Sequence, residues 1–193
     1  MTRRAFVSPI AVALGMLVAA FPSAGEEPAQ ESAIGLAAGK QAPFFVVDFC
    51  HGEHKDGGGC PSVIISNHET RGIILIASAP TDGAIELAKA LDGVVDGKHV
   101  LGFLVAPKAN RQELVAACEK SALKSWTAGI PRESSLTTLK RVGLTDETAV
   151  AILLLDRKAV KAAHLLKAGE LNATKQKEIV AEAKKFAEEG REK

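Results

Sequence analysis

The chain has 193 residues, with 24 lysines and arginines against 23 aspartates and glutamates, which gives a formal net charge of +1. This balance, together with a single tryptophan and no tyrosine, excludes a basic, aromatic-rich nucleic-acid binder. The three cysteines allow at most one internal disulfide and leave one thiol over.

The first residues predict an export signal. Arg3 and Arg4 precede an uncharged stretch over residues 10–21, and small residues follow around Ala24. The apolar run is shorter than the roughly 20 residues that span a bilayer. The paired arginines also resemble the twin-arginine signal of bacteria. We therefore expect a signal peptide over residues 1–24 and a periplasmic or extracellular protein that meets the membrane only during export.

The organisation after the signal is predicted to be simple. Residues 26–32 are polar and contain Pro28, so we expect a flexible tether over residues 25–38. One folded domain is predicted over residues 39–187 and a charged tail over residues 188–193.

Apolar, β-branched runs predict four strands, over residues 44–49, 73–77, 100–105 and 149–155. The runs at 73–77 and 149–155 are continuous, which is typical of strands covered on both faces. Asp156 to Lys158 then predict a turn into a further strand over residues 159–165.

Helical spacing and capping residues predict four helices between and after these strands. The predicted helices begin near Thr81 or Asp82 and run to Gly97, cover residues 111–123, run from Ser134 or Ser135 through Val142, and begin at Asn172. Cys118 lies on the apolar side of the second helix, where a cysteine acts as a small buried hydrophobe. Strand–helix–strand units predict a parallel core sheet, to which the hairpin adds an antiparallel edge.

Two short motifs agree with this order of elements. The lead-in at residues 39–43, Gly-Lys-Gln-Ala-Pro, and the hairpin around residues 153–158, Leu-Leu-Leu-Asp-Arg-Lys, resemble those of peroxiredoxin-type domains. Over residues 39–186 the chain resembles the thioredoxin-like superfamily in its N-terminally extended form. The resemblance implies an α/β, three-layer fold with a central mixed sheet and an N-terminal strand extension.

The resemblance also implies catalytic positions, and here this chain departs from the pattern. The usual Cys-x-x-Cys would lie between the central strand and the next helix, where residues 78–82 read Ser-Ala-Pro-Thr-Asp. Val150 stands where the family has its cis-proline. The peroxiredoxin pattern Pro-x-x-x-Thr/Ser-x-x-Cys is absent. Cys60-Pro61-Ser62-Val63 is similar to a Cys-x-x-Cys found further upstream in some exported relatives, with Val63 in place of the second cysteine.

Cys50 and Cys60 enclose a glycine-rich loop of nine residues, which allows three kinds of site. In an oxidising compartment the pair predicts a disulfide, which would stabilise the fold by about 2–3 kcal/mol. Alternatively, Cys60 is a nucleophile and Cys50 its resolving thiol. Thirdly, Cys50, His54, Cys60 and His68 are a possible ligand set for copper or zinc.

Three functions follow from these sites. The leading hypothesis is an exported thioredoxin-fold protein without a cofactor that binds an unidentified protein partner or serves as a structural module, with a Cys50–Cys60 disulfide. The second is a thiol–disulfide oxidoreductase or thiol peroxidase, which would act on a small thiol or peroxide. The third is a copper or zinc binder.

Overall fold

The structure, a computed structural model, describes residues 36–141, 143–145 and 148–191. The predicted signal peptide and residues 25–35 of the predicted tether lie outside this part of the chain, as does Val142. Within it, no helix has the length and apolar character needed to cross a membrane.

Seven strands and five helices alternate along the described chain. The strands are β1 Val47–His51, β2 Gly58–Gly59, β3 Arg71–Ala77, β4 Val100–Val105, β5 Trp126–Pro131, β6 Thr148–Asp156 and β7 Ala159–Lys167. The helices are α1 Pro61–Asn67, α2 Asp82–Leu91, α3 Arg111–Lys120, α4 Glu133–Arg141 and α5 Ala173–Arg191.

All seven strands join one mixed sheet in the order β2-β1-β5-β4-β3-β6-β7. Strands β3, β4 and β5 are parallel, and the pairs formed by β1 and by the β6–β7 hairpin are antiparallel. Every residue of β3 and β4 is buried, because helices cover both faces of the sheet centre. This explains why their apolar runs do not alternate with polar residues.

Two apolar clusters lie on opposite faces of the sheet. One contains buried side chains of α2, α3 and α5, and the other contains Ile65 of α1 and Leu139 of α4. The result is a layer of helices, a mixed sheet and a second layer of helices, with β1 and β2 as the N-terminal addition. The predicted fold class is confirmed.

Element bounds agree best where the apolar pattern is strongest. The strand predicted over residues 100–105 has those bounds, and β3 and β6 contain the predicted runs. The first strand begins at Val47 rather than at residue 44, and α2 ends at Leu91 rather than at Gly97. The sequence prediction did not include α1, β5 or the two-residue strand β2.

Candidate functional site

The β3–α2 junction, residues 78–82, lies where the resemblance places catalytic cysteines. The backbone N–H of Ser78 donates to the carbonyl of Ala149 at 3.2 Å, and the Ser78 carbonyl accepts from Lys108 N at 2.9 Å. Val150 pairs with Ala77 at the end of β3 and is buried. The junction is therefore fixed by backbone hydrogen bonds and carries no thiol.

Thr81 precedes the first residue of α2, as the sequence predicts, but its side chain makes no capping hydrogen bond. Asp82 begins the helix and is exposed. A carboxylate in the first turn of a helix interacts favourably with the helix dipole. In this position it also places negative charge where a reactive thiolate would otherwise be stabilised.

The register of the β1–β2 hairpin separates Cys50 from Cys60. Val47 pairs with Gly59 and Asp48 with Gly58, so Cys60 follows beside residue 46, four residues along the strand from Cys50. At roughly 3.4 Å per residue this is about 14 Å, whereas a disulfide needs Cα atoms about 4.4–6.8 Å apart. All three cysteines are free thiols in the structure. The predicted disulfide is thus not formed here, and the register opposes it.

The sequence prediction of this bond rested on a flexible loop, whereas the loop is ordered. Phe49 donates its backbone N–H to Gly57 at 2.9 Å and accepts from the N–H of Asp56 at 3.1 Å. Asp56 adopts a left-handed backbone with φ of 65°. These bonds close a hairpin whose register places Cys50 and Cys60 at different positions along β1.

Two of the thiols are buried together in the apolar cluster that contains α3. Cys50 is 1% exposed and Cys118 is 0% exposed. Burial, with a smaller contribution from Cys50, raises the pKa of the Cys118 thiol to about 12. Burial also raises the pKa of Cys50, although Arg111 acts in the opposite direction. Because the thiolate is the nucleophile, both side chains are poorly reactive at neutral pH. The predicted burial of Cys118 is confirmed.

Cys60 has a different setting, at the residue that precedes α1. Its Sγ lies 3.1 Å from Ser62 Oγ, and that hydroxyl donates to the carbonyl of Pro43 at 3.4 Å. Cys60 makes no side-chain capping bond to the helix and is 5% exposed. A helix does therefore follow this cysteine, as in an upstream Cys-x-x-Cys, but Val63 supplies no second thiol.

The four predicted metal ligands are not brought together. His54 and His68 are close, with ring centroids 6.4 Å apart, and His54 also stacks on Phe103 at 6.3 Å. Cys50, by contrast, belongs to the apolar cluster on the other face of the sheet. Across the described residues, no group of three or more His, Cys, Asp or Glu side chains is placed to hold a metal ion. The described structure therefore does not assemble the predicted ligand set into one site, and metal binding stays a prediction.

Charged residues gather at the other end of β3, for which the sequence analysis made no prediction. Arg71 begins β3, His99 directly precedes β4, and Asp156 ends β6. The sequence signal was a lone arginine in front of a continuous apolar strand, which by itself does not distinguish a strand boundary from a site.

Comparisons with known proteins place this geometry in a fold group. No protein-family model matches the sequence, and no curated protein matches it. Solved structures do match. A peroxiredoxin-like protein from Aquifex aeolicus is 15% identical with a TM-score of 0.55, over 80% of this chain and 90% of that one.

Two further matches have related descriptions. The thioredoxin domain of a thiol-disulfide oxidoreductase from Bacteroides vulgatus is 14% identical with a TM-score of 0.54, over 75% of this chain and 99% of its own. Reduced Prx3 from Vibrio vulnificus, in complex with H2O2, is 13% identical with a TM-score of 0.56, over 76% and 95%. At such identities the likeness establishes the fold and not the activity: the chain has a thioredoxin-like fold, as the sequence resemblance predicts.

Proposed function

We propose that this chain is an exported thioredoxin-fold module that acts by binding or as a structural unit, without dithiol catalysis. The observation that carries the proposal is the β3–α2 junction, where the fold ordinarily presents its cysteines and where this chain has Ser-Ala-Pro-Thr-Asp. Its backbone is held from two sides, by Ala149 and by the loop containing Lys108.

The settings of the thiols support the same proposal. A dithiol catalyst needs an accessible thiolate and a second cysteine close enough to resolve the mixed disulfide. Cys50 and Cys118 are buried and have raised pKa values. Cys60 lies about four residues along the hairpin from Cys50, so neither thiol is placed to resolve a bond on the other.

Export is supported by the composition of residues 1–24, a basic start followed by a short apolar run. N-terminal sequencing of the protein recovered outside the cytoplasm should begin near residue 25. Exchanging Arg3 and Arg4 for lysines should block export if the twin-arginine route is used. A mature protein that begins at Thr2 would contradict cleavage.

The catalytic question is tested with insulin reduction and peroxide consumption, measured against a thioredoxin and a peroxiredoxin of known activity. We expect the wild-type protein to match the buffer rate in both assays. Cys60→Ser and Cys118→Ser serve as matched variants, because both remove one buried thiol. Turnover by the wild type that is lost in Cys60→Ser and retained in Cys118→Ser would reject the proposal.

Turnover that depends on Cys60 in this way would establish the alternative, a thiol-dependent oxidoreductase or peroxidase. One observation favours it: Cys60 directly precedes a helix and its Sγ lies within hydrogen-bond distance of a hydroxyl.

Metal binding is tested separately, by metal analysis of protein prepared without a histidine tag. Copper or zinc bound in a one-to-one ratio would favour metal binding, with His54 and His68 as the ligands to exchange first.

A further inference from the structure

A polar cavity of about 420 Å³ opens at the end of β3 opposite the β3–α2 junction. Three cationic side chains line it, and they come from separate segments: Arg71 from β3, Lys98 from the loop before β4, and Arg157 from the β6–β7 turn. Ala187 of α5 forms part of the wall. Cations that converge from three distant segments are a feature of sites for anions.

Arg71 is the buried member of the set, at 9% exposed. Its Cζ lies over the ring of Phe186, 4.7 Å from the ring centroid. Its Nη2 lies 3.9 Å from the nearer carboxylate oxygen of Asp156, beyond hydrogen-bond distance. Its Nη1 is buried and has no hydrogen-bond partner among the described residues. A buried charged donor without an acceptor is costly, so an anion beside this guanidinium would offset part of that cost.

Lys98 is held in place by the loop on which it stands. A single carboxylate oxygen of Asp96 accepts from the backbone N–H groups of Lys98, His99 and Val100, at 3.0, 2.7 and 3.0 Å. The Thr70 hydroxyl donates to the His99 carbonyl and lies 3.2 Å from the Lys98 carbonyl, which ties this loop to the residue before Arg71. The loop is therefore ordered before any ligand arrives.

Arg157 is fixed by a comparable arrangement at the β6–β7 turn. It adopts a left-handed backbone with φ of 55°, and its N–H donates to the Thr70 carbonyl at 3.0 Å. Glu69, also in the wall, is left-handed with φ of 52°. Non-glycine residues persist in this conformation only where the surrounding structure holds them, and they concentrate at functional sites.

The charges in the wall leave a cationic excess. Asp156 lies between Arg71 and Lys161, whose Nζ is 3.7 Å away, so its charge is shared with a cation outside the cavity. Glu69 is the other carboxylate in the wall, against the three cations. His68 and His99 also line the cavity, and His99 Nδ1 is 2.8 Å from Asp96.

We propose that this cavity binds the phosphate group of a small phosphorylated molecule. Its oxygens would accept from the Lys98 and Arg157 side chains and lie next to the Arg71 guanidinium. An arginine is suited to a phosphate because its planar donors match the phosphate oxygens, and the contact with the Phe186 ring restricts the positions that this side chain can take. The rest of the cavity would hold the organic part. The site lies away from all three cysteines, so it does not depend on whether Cys60 is reactive.

The test is calorimetric titration of the folded protein with inorganic phosphate and, separately, with glycerol phosphate, at constant ionic strength set by chloride. We expect saturable one-to-one binding, with affinity lowered about tenfold or more in Lys98→Met and in Arg157→Met. Both side chains are exposed, so these variants should keep the fold. Arg111→Met is the matched control, because Arg111 is exposed, pairs with Asp56 and lies outside the cavity.

Arg71→Lys and Arg71→Met, checked for folding by circular dichroism, then test the buried nitrogen, and both should weaken binding as much as the Lys98 change. Tighter binding of glycerol phosphate than of inorganic phosphate supports a phosphorylated molecule as the ligand, whereas the reverse order supports free phosphate held by the same side chains. Absence of saturable binding for both probes overturns the proposal. So does an equal loss in Arg111→Met, which would indicate only general attraction of anions.

Discussion

The two ends of β3 have opposite chemical character although they belong to one strand. At the Ala77 end, the β3–α2 junction is held by backbone hydrogen bonds, and the Thr81 side chain makes no capping bond to α2. At the Arg71 end, three cations surround a cavity, and one buried guanidinium nitrogen has no partner among the described residues. A thioredoxin-like fold is thus compatible with a β3–α2 junction that contains no cysteine, because the fold depends on the apolar strand and not on the site.

Strand β3 joins the two ends, and a substitution in its buried interior should have the largest effect on the free energy of unfolding. Leu75 is 0% exposed and pairs with Leu104 and Ile152 in the sheet centre. Leu75→Ala should lower the free energy of unfolding by about 2–5 kcal/mol, because it leaves a cavity in a packed core. Urea unfolding followed by circular dichroism measures this change.

The control lies at the junction itself. Thr81→Ala should change the free energy of unfolding by less than about 0.5 kcal/mol, since the Thr81 side chain makes no capping bond and is exposed. A loss at Thr81 as large as the loss at Leu75 would mean that the junction is a structural centre, and the comparison of the two ends would fail.

The sequence predicted the fold well because buried strands have a strong local signature. Residues 73–77, 100–105 and 149–155 are continuous apolar runs, and each lies in the sheet centre. Strand β5 was missed because Gly129 and Pro131 weaken its strand signature. Gly129 is nevertheless required, since a Cβ there would lie 2.5 Å from a Val47 methyl carbon and 2.6 Å from the Asp48 carbonyl oxygen.

The site was predicted less well, because it depends on pairing between distant residues. The spacing of Cys50 and Cys60 allows a disulfide, but the register of Val47 with Gly59 decides against it, and no local pattern encodes that register. Likewise, Arg71, Lys98 and Arg157 are far apart in the chain and come together only through the order of the strands. The absence of cysteine from residues 78–82, by contrast, follows from the sequence alone and needs no knowledge of the pairing.

A second prediction concerns the cysteine hairpin. Gly52 has φ of +84°, and a Cβ there would lie 2.3 Å from the carbonyl oxygen of Trp126. Gly52→Ala should destabilise the protein by about 3 kcal/mol, from left-handed strain together with the clash against backbone. Gly97, with φ of +72° and open space around its Cβ position, is the control at the charged end. Gly97→Ala should lower the free energy of unfolding by only about 1–2 kcal/mol, from backbone strain alone. Equal losses in the two variants would show that the backbone around Gly52 can move to accommodate a Cβ.

A third prediction uses the pH dependence of Cys118. Its folded-state pKa of about 12 lies above the ordinary cysteine pKa of 9.0, so between these values the unfolded chain releases a proton that the folded chain retains. Stability from this group is complete below pH 9 and falls as pH rises toward the folded value, by about 1.4 kcal/mol per pH unit. Urea unfolding at pH 8 and pH 10.5 should therefore show a loss about 2 kcal/mol larger in the wild type than in Cys118→Ala. Parallel losses in the two proteins would place the Cys118 thiol in contact with water.

Apart from the Thr81→Ala control, the smallest loss of stability is expected at the start of α3. The side chain of Asn110 accepts from the N–H of Glu113 at 2.9 Å, and the Glu113 carboxylate accepts from the N–H of Asn110 at 3.3 Å, which is a capping box. Asn110→Ala removes one half of it and should lower the free energy of unfolding by about 1 kcal/mol, while Asn110→Asp should retain most of the stability because a carboxylate accepts the same bond. Thr81→Ala, with no capping bond to lose, should then remain below Asn110→Ala. If the two alanine variants lose equal stability, the capping box of α3 contributes nothing measurable to the free energy of unfolding.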